Sequence, residues 1–166
     1  PMCKLGDRIF HTSTQMAGLM AQVDAANGDC PAESPSNKNM KINGAVLADG
    51  TEVLLDLQQA NYLNSNGVTT ILNFIGGFVL WGNESACYPA NTDVKYYFLC
   101  VSRMFGWVGN SLILTYWSKV DNKLTRRRFI DSIVDSVNIW LNGLTSEEKI
   151  LGGRVEFFFA EPFYKG

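Results

Sequence analysis

The chain has 166 residues, 46% of them hydrophobic, and a formal net charge of −2. That is enough apolar material to bury a core in one domain or two small ones. The charge balance excludes a general attraction to nucleic acid or to an anionic membrane, so any basic contact must be local.

No run of about 18 apolar residues appears, and no charged leader precedes an apolar core, which predicts a soluble protein made in a cytoplasm. Four cysteines, Cys3, Cys30, Cys87 and Cys100, lie far apart without a C-x-x-C pair. With one histidine in the chain they do not assemble a metal set. They are expected to be buried, reduced thiols, and no metal or cofactor is expected.

In the first half, His11-Thr12-Ser13-Thr14 supplies N-cap residues, and Met16, Leu19, Met20 and Val23 recur at helical spacing. This predicts a short, closely packed buried helix that stops near Asn27-Gly28, followed by a loop from Pro31 to Asn37. Ile42 to Leu47 and Thr51 to Leu55 flank Asp49-Gly50, a two-residue hairpin signal. Asp56 can cap a helix through Leu57, Tyr62 and Leu63, ended by Asn66-Gly67. Ile71 to Trp81 is nearly all apolar but interrupted by Gly76 and Gly77; it reads as one buried strand, with Trp81 at its end where the indole N–H can find a partner. Asn83 to Thr92, with Pro89, has turn and linker chemistry, and the junction between two units is expected there.

His11 and Ser13 at the head of the first helix invite comparison with a serine hydrolase. Such an enzyme needs a base within reach of the hydroxyl, a group to hold that base and an oxyanion hole. Residues two apart at a helix start point in different directions, and the chain has no second histidine, so capping is the favoured role.

In the second half, Tyr96 to Val101 is aromatic and β-rich, a strand candidate. Arg103 to Lys119 reads as a helix weakened by Gly106 and Gly109, and Asp121-Asn122-Lys123 as a turn. The clearest helix runs from about Thr125 to Asn142: Phe129, Ile130, Ile133, Val134, Val137, Trp140, Leu141 and Leu144 form one stripe, with Asp131, Asp135 and Asn138 off it. Asn142-Gly143 is expected to end it, and Val155 to Phe159 to form an apolar strand. Arg126, Arg127 and Arg128 sit in the first turn, where positive charge opposes the macrodipole. Asp131 can pair with Arg127 and Arg128. The patch is either a solvated cationic end or a dock for an acidic protein surface; nucleic acid fits less well, because no aromatic platform is interleaved with the basic residues.

Several blocks then resemble, in order, the contractile tail sheath proteins of myophages and related phage-tail-like particles. They are Pro35-Ser36-Asn37, Leu47-Ala48-Asp49-Gly50, Ala60-Asn61-Tyr62-Leu63-Asn64, Asn73-Phe74-Ile75-Gly76-Gly77, Leu80-Trp81-Gly82-Asn83, Tyr88-Pro89-Ala90-Asn91-Thr92-Asp93, Arg103-Met104-Phe105 and Asn138 to Leu144. The similarity runs from about Lys4 to Phe157. It implies an α/β chain in which residues 1–91 end a non-catalytic subtilisin-like sheath domain and residues 92–166 begin a small α+β C-terminal domain, without both terminal arms. The helix headed by Ser13 would correspond to the nucleophile helix of true subtilisins.

The resemblance further implies a non-enzymatic structural subunit. Copies would stack as six-fold rings around a tail tube, attached to a baseplate, in a virion tail assembled in a bacterial host's cytoplasm, without nucleic-acid or membrane partners. Lys123, Arg126, Arg127 and Arg128 become the candidate contact to the tube. Two alternatives stand beside this reading: a subtilisin-fold serine hydrolase using Ser13, and a truncated, stand-alone binding module.

Overall fold

A computed structural model describes residues 2–119 and 127–158. The expected Asp121 to Lys123 turn lies outside them, as does the end of the Val155 to Phe159 segment. The chain divides into two compact units, Pro1–Gly109 and Asn110–Gly166.

The first unit begins with an antiparallel sheet. β1 (Met2–Leu5) pairs on one side with β2 (Arg8–His11) and on the other with β3 (Gly44–Val46). Registry places Cys3 opposite both Phe10 and Ala45. Those three share a face because residues directly opposite one another on neighbouring strands project to the same side of the sheet. With Leu19, Met40, Ile71 and Leu80 they make the core of this unit.

α1 (Thr12–Ala26) follows β2 directly, as its spacing predicts. It presents one buried face, Thr12, Leu19 and Val23, and leaves the rest half-buried or exposed, so it is an amphipathic surface helix and not a wholly buried one. The N-cap is His11, whose side chain makes no capping bond. α2 (Leu57–Asn64) is started by the expected Asp56: its carboxylate accepts from the Gln59 N–H at 2.8 Å, and the Gln59 side chain accepts from the Asp56 N–H at 3.2 Å. This reciprocal capping box satisfies two donors that the first turn would leave orphaned.

The 71–81 stretch is a hairpin, not a single strand. β4 (Thr70–Asn73) and β5 (Phe78–Trp81) pair antiparallel, and Gly76 and Gly77, at φ +71° and +156°, reverse the chain between them. Apolar residues on both sides of the turn give it the appearance of one run. The Asp49-Gly50 turn forms, with Gly50 at φ +87° and Leu47 N–H to Thr51 O at 2.8 Å. Its second arm makes one isolated bridge, Val46 to Glu52, with the Val53 N–H donating to Ala45 O at 2.8 Å.

The expected strand at Tyr96 to Val101 is also helical. Asp93 caps a short helix, α3 (Val94–Tyr97), by accepting from the Lys95 N–H at 3.0 Å, and α4 (Leu99–Tyr116) starts two residues later. A side-chain cap at the right position outweighs the modest β preference of Tyr and Phe. Only Phe98, extended at φ −87° and bridged to Glu84, keeps strand character. α4 continues into a 3₁₀ turn, Trp117–Lys119.

In the second unit α5 (Arg127–Ser146) buries Val137, Leu141 and Leu144 along one stripe. It passes through Gly143 where a stop is expected. Burying Leu144 offsets the roughly 1 kcal/mol that a mid-helix glycine costs. The actual end is a Schellman motif: Lys149 N–H bonds Leu144 O at 3.0 Å, Glu148 N–H bonds Thr145 O at 3.1 Å, and Glu148 takes the left-handed position at φ +58°. Residues 152–158 form no strand; Val155 is held by a side chain, as described next.

Candidate functional site

Three places carry polar side chains that the sequence singles out. The first is the start of α5. Arg127 and Arg128 are exposed in its first turn, which holds no acidic residue. The Arg127 Nε–H donates to Asp131 Oδ1 at 3.4 Å, one helical turn along. This is the i, i+4 pairing expected, and it lessens the clash with the macrodipole by a few tenths of a kcal/mol. Lys123 and Arg126, the other two candidates, lie outside the described residues.

The second is the head of α1. His11 and Ser13 are both exposed, and among the described residues no hydrogen bond joins them. Adjacency in sequence therefore does not bring a base to the hydroxyl. Among the described residues no group of three or more His, Cys, Asp or Glu side chains could hold a metal ion, and no helix is long and apolar enough to cross a membrane. None of the four cysteines is in a disulfide: Cys3 and Cys30 are buried as expected, Cys100 is half-buried, and Cys87 is exposed, contrary to expectation.

The third is a convergence of the short blocks quoted above. The Trp81 Nε1–H donates to Asn61 Oδ1 at 2.9 Å, tying the end of β5 to α2. The Gly82 N–H donates to Ser36 Oγ at 3.1 Å, and Asn37, at φ +60°, donates its N–H to Leu80 O at 2.6 Å. Met40 N–H to Phe78 O at 2.8 Å continues this pairing along β5. Gly82 sits at φ +128°, where a Cβ would meet the Asn64 carboxamide at 2.9 Å; at Gly67, φ +75°, a Cβ would lie 2.5 Å from the Tyr88 carbonyl oxygen. Tyr88 and Tyr97 rings meet edge to face at 4.7 Å. Blocks 35–37, 60–64, 80–83 and 88–89 thus form one knot of close backbone approaches, which is packing and not chemistry.

One residue was not anticipated. Asn138 appears in the sequence as a polar position beside the apolar stripe. In the structure its Oδ1 accepts from Val155 N–H at 2.8 Å and its Nδ2 donates to Val155 O at 3.1 Å. A carboxamide engaging both polar atoms of one residue does what a neighbouring strand would do. The sequence signal for it was only its place at the head of the Asn138 to Leu144 block.

In these three places the described polar groups cap a helix, join backbones or lie exposed as charge. Over 155 residues the chain is 30% identical to the tail sheath protein of Burkholderia phage BcepMu, a match covering 91% of this chain and 31% of that protein. The chain therefore spans about a third of its relative's length. Its fold matches a chain of the anti-feeding prophage (AFP) helical sheath in its contracted state, with TM-score 0.70 and 18% identity, over 89% of this chain and 39% of that one. It also matches a chain of the AFP baseplate, with TM-score 0.68 and 17% identity, over 89% and 38%. No family model matches. The resemblance to contractile tail sheath proteins is thus present in sequence and in fold.

Proposed function

We propose that the chain is a structural, non-enzymatic part of a contractile tail sheath. Residues 1–91 would end the subtilisin-like domain and residues 92–166 begin the C-terminal domain. Copies pack as stacked rings around a tail tube above a baseplate, in a tail assembled in the host cytoplasm, and contraction is a rearrangement of nearly rigid subunits. The observation that carries this reading is the sequence match to a tail sheath protein along nearly the whole chain. The sheath-type fold supports it. So does the character of the singled-out residues, whose polar groups cap helices and join backbones.

The start of α5 is the surface we assign to the tube. Arg127 and Arg128 are exposed there, and Lys123 and Arg126 stand just before them in the sequence; this local run of positive charge on a chain of net charge −2 suits an acidic cylinder. The test is assembly on purified tubes at low and high salt after Arg126→Glu, Arg127→Glu and Arg128→Glu together. The proposal expects loss of tube association at low salt with an unchanged circular dichroism spectrum; association equal to the parent's would contradict it.

A further inference from the structure

The turn of the β4–β5 hairpin carries more apolar surface than a turn needs. Gly76 and Gly77 supply the reversal, yet Phe74 and Ile75 beside them are 63% and 82% exposed. Turn geometry favours Gly, Asn, Asp, Ser and Pro, and two bulky apolar side chains there add nothing to the core. Exposed together at a tip, they form a knob suited to burial against another surface.

The first unit also holds a surface of matching character. Leu55 and, on one face of α2, Gln58, Gln59, Tyr62 and Leu63 line a shallow groove of about 450 Å³. Tyr62 is 70% exposed on it. A copy's own knob stands away from this groove. The base of the hairpin is tied to α2 by the Trp81–Asn61 bond, and four residues of strand set the tip roughly 14 Å from that base. Charge gives the pairing a direction. Ile42 to Val94 carries Asp49, Glu52, Asp56, Glu84 and Asp93 but no Lys or Arg, and the exposed Asp56 is next to Leu55 of the groove. On the hairpin's side stands Lys41, exposed and next in sequence to Met40, whose N–H bonds Phe78 O at 2.8 Å.

We infer that Phe74 and Ile75 of one copy seat in the α2 groove of the next, with Lys41 on the side of Asp56. Knob and groove are different surfaces of one unit, so the contact is heterologous, and each added copy leaves a knob free at one end and a groove at the other. Two side chains make a weak contact singly; repetition along a row strengthens it. The inference deepens the sheath reading by naming one place where copies meet. It is measured without a tube, so its failure leaves that reading to stand on other surfaces.

Sedimentation velocity of the whole chain tests it. The parent is expected to form rows that lengthen with concentration. Ile75→Asn, which suits a turn, blunts the knob; Tyr62→Gln, which suits a helix, opens the groove. Each is expected to weaken self-association roughly fivefold or more with an unchanged circular dichroism spectrum. An equal mixture of the two keeps one intact knob and one intact groove per pair and is expected to stop at dimers. Lys41→Glu should weaken association at low salt and match the parent at high salt. A photoreactive phenylalanine analogue in place of Phe74, in a mixture of isotope-labelled and unlabelled copies, should cross-link between copies to residues 55–63. A parent that stays monomeric at millimolar concentration, variants that associate as the parent does, or cross-links that join two hairpin tips would each overturn the proposal.

Discussion

Asn138 holds Val155 by both its N–H, at 2.8 Å, and its carbonyl, at 3.1 Å, so one side chain stands in for a strand partner. Replacing it by leucine keeps the bulk and removes both bonds. Because the site is only half-buried, the freed groups can reach water, and the expected loss is about 1–2 kcal/mol. Amide exchange at Val155 should accelerate while the amides of Val137 and Leu141 stay protected. Unchanged exchange at Val155 would show that the two bonds do not hold the segment.

Glu148 occupies the left-handed position that ends α5. Glycine takes that conformation without strain, so Glu148→Gly should stabilise the second unit by roughly 0.5–1 kcal/mol. Denaturant titration is the check, with an unchanged slope and a higher midpoint. Equal or lower stability would contradict the Schellman assignment.

Gly67 meets the Tyr88 carbonyl so closely that a Cβ would stand 2.5 Å from its oxygen, at φ +75°. Gly67→Ala combines a backbone clash with a disfavoured conformation and should cost about 2 kcal/mol or more. Trp81→Phe is the milder counterpart: the ring's packing largely survives, the bond to Asn61 is lost, and about 1 kcal/mol should follow. Thermal unfolding of the two variants should rank them in that order.

Thiol accessibility separates the four cysteines. Cys87 is exposed and should react with a disulfide reagent first, and Cys100 more slowly. Cys3 is fully buried and Cys30 nearly so, and burial pushes the Cys3 thiol's pKa up, which disfavours the reactive thiolate. Those two should titrate only on unfolding. Fast labelling of all four in the native protein would contradict the core described for the first unit.

The helices were the most legible part of the sequence. α2 carries its start signal in Asp56, and α5 its stripe in Val137, Leu141 and Leu144. Elsewhere the residue that decides the conformation is not the one that sets the apparent pattern. The run from Ile71 to Trp81 shows apolar character but not direction, and only the positive φ values at Gly76 and Gly77 reveal the reversal. Tyr96 to Val101 has strand-forming side chains, yet the deciding residue, Asp93, stands just outside it. Asn142-Gly143 looks like a terminator until Leu144 is seen to be buried. Asn138 was beyond reach for a different reason: its partner is a main chain 17 residues away, which leaves no side-chain trace.

On the proposed function, copies of this polypeptide fit against one another around a tube. Electron microscopy of the naturally produced protein, expressed with its tube protein, tests it most directly. Hollow tubes or stacked rings that sheathe the tube are expected. A monomer that leaves the tube bare, with Ser13 labelled by a fluorophosphonate probe, would contradict it.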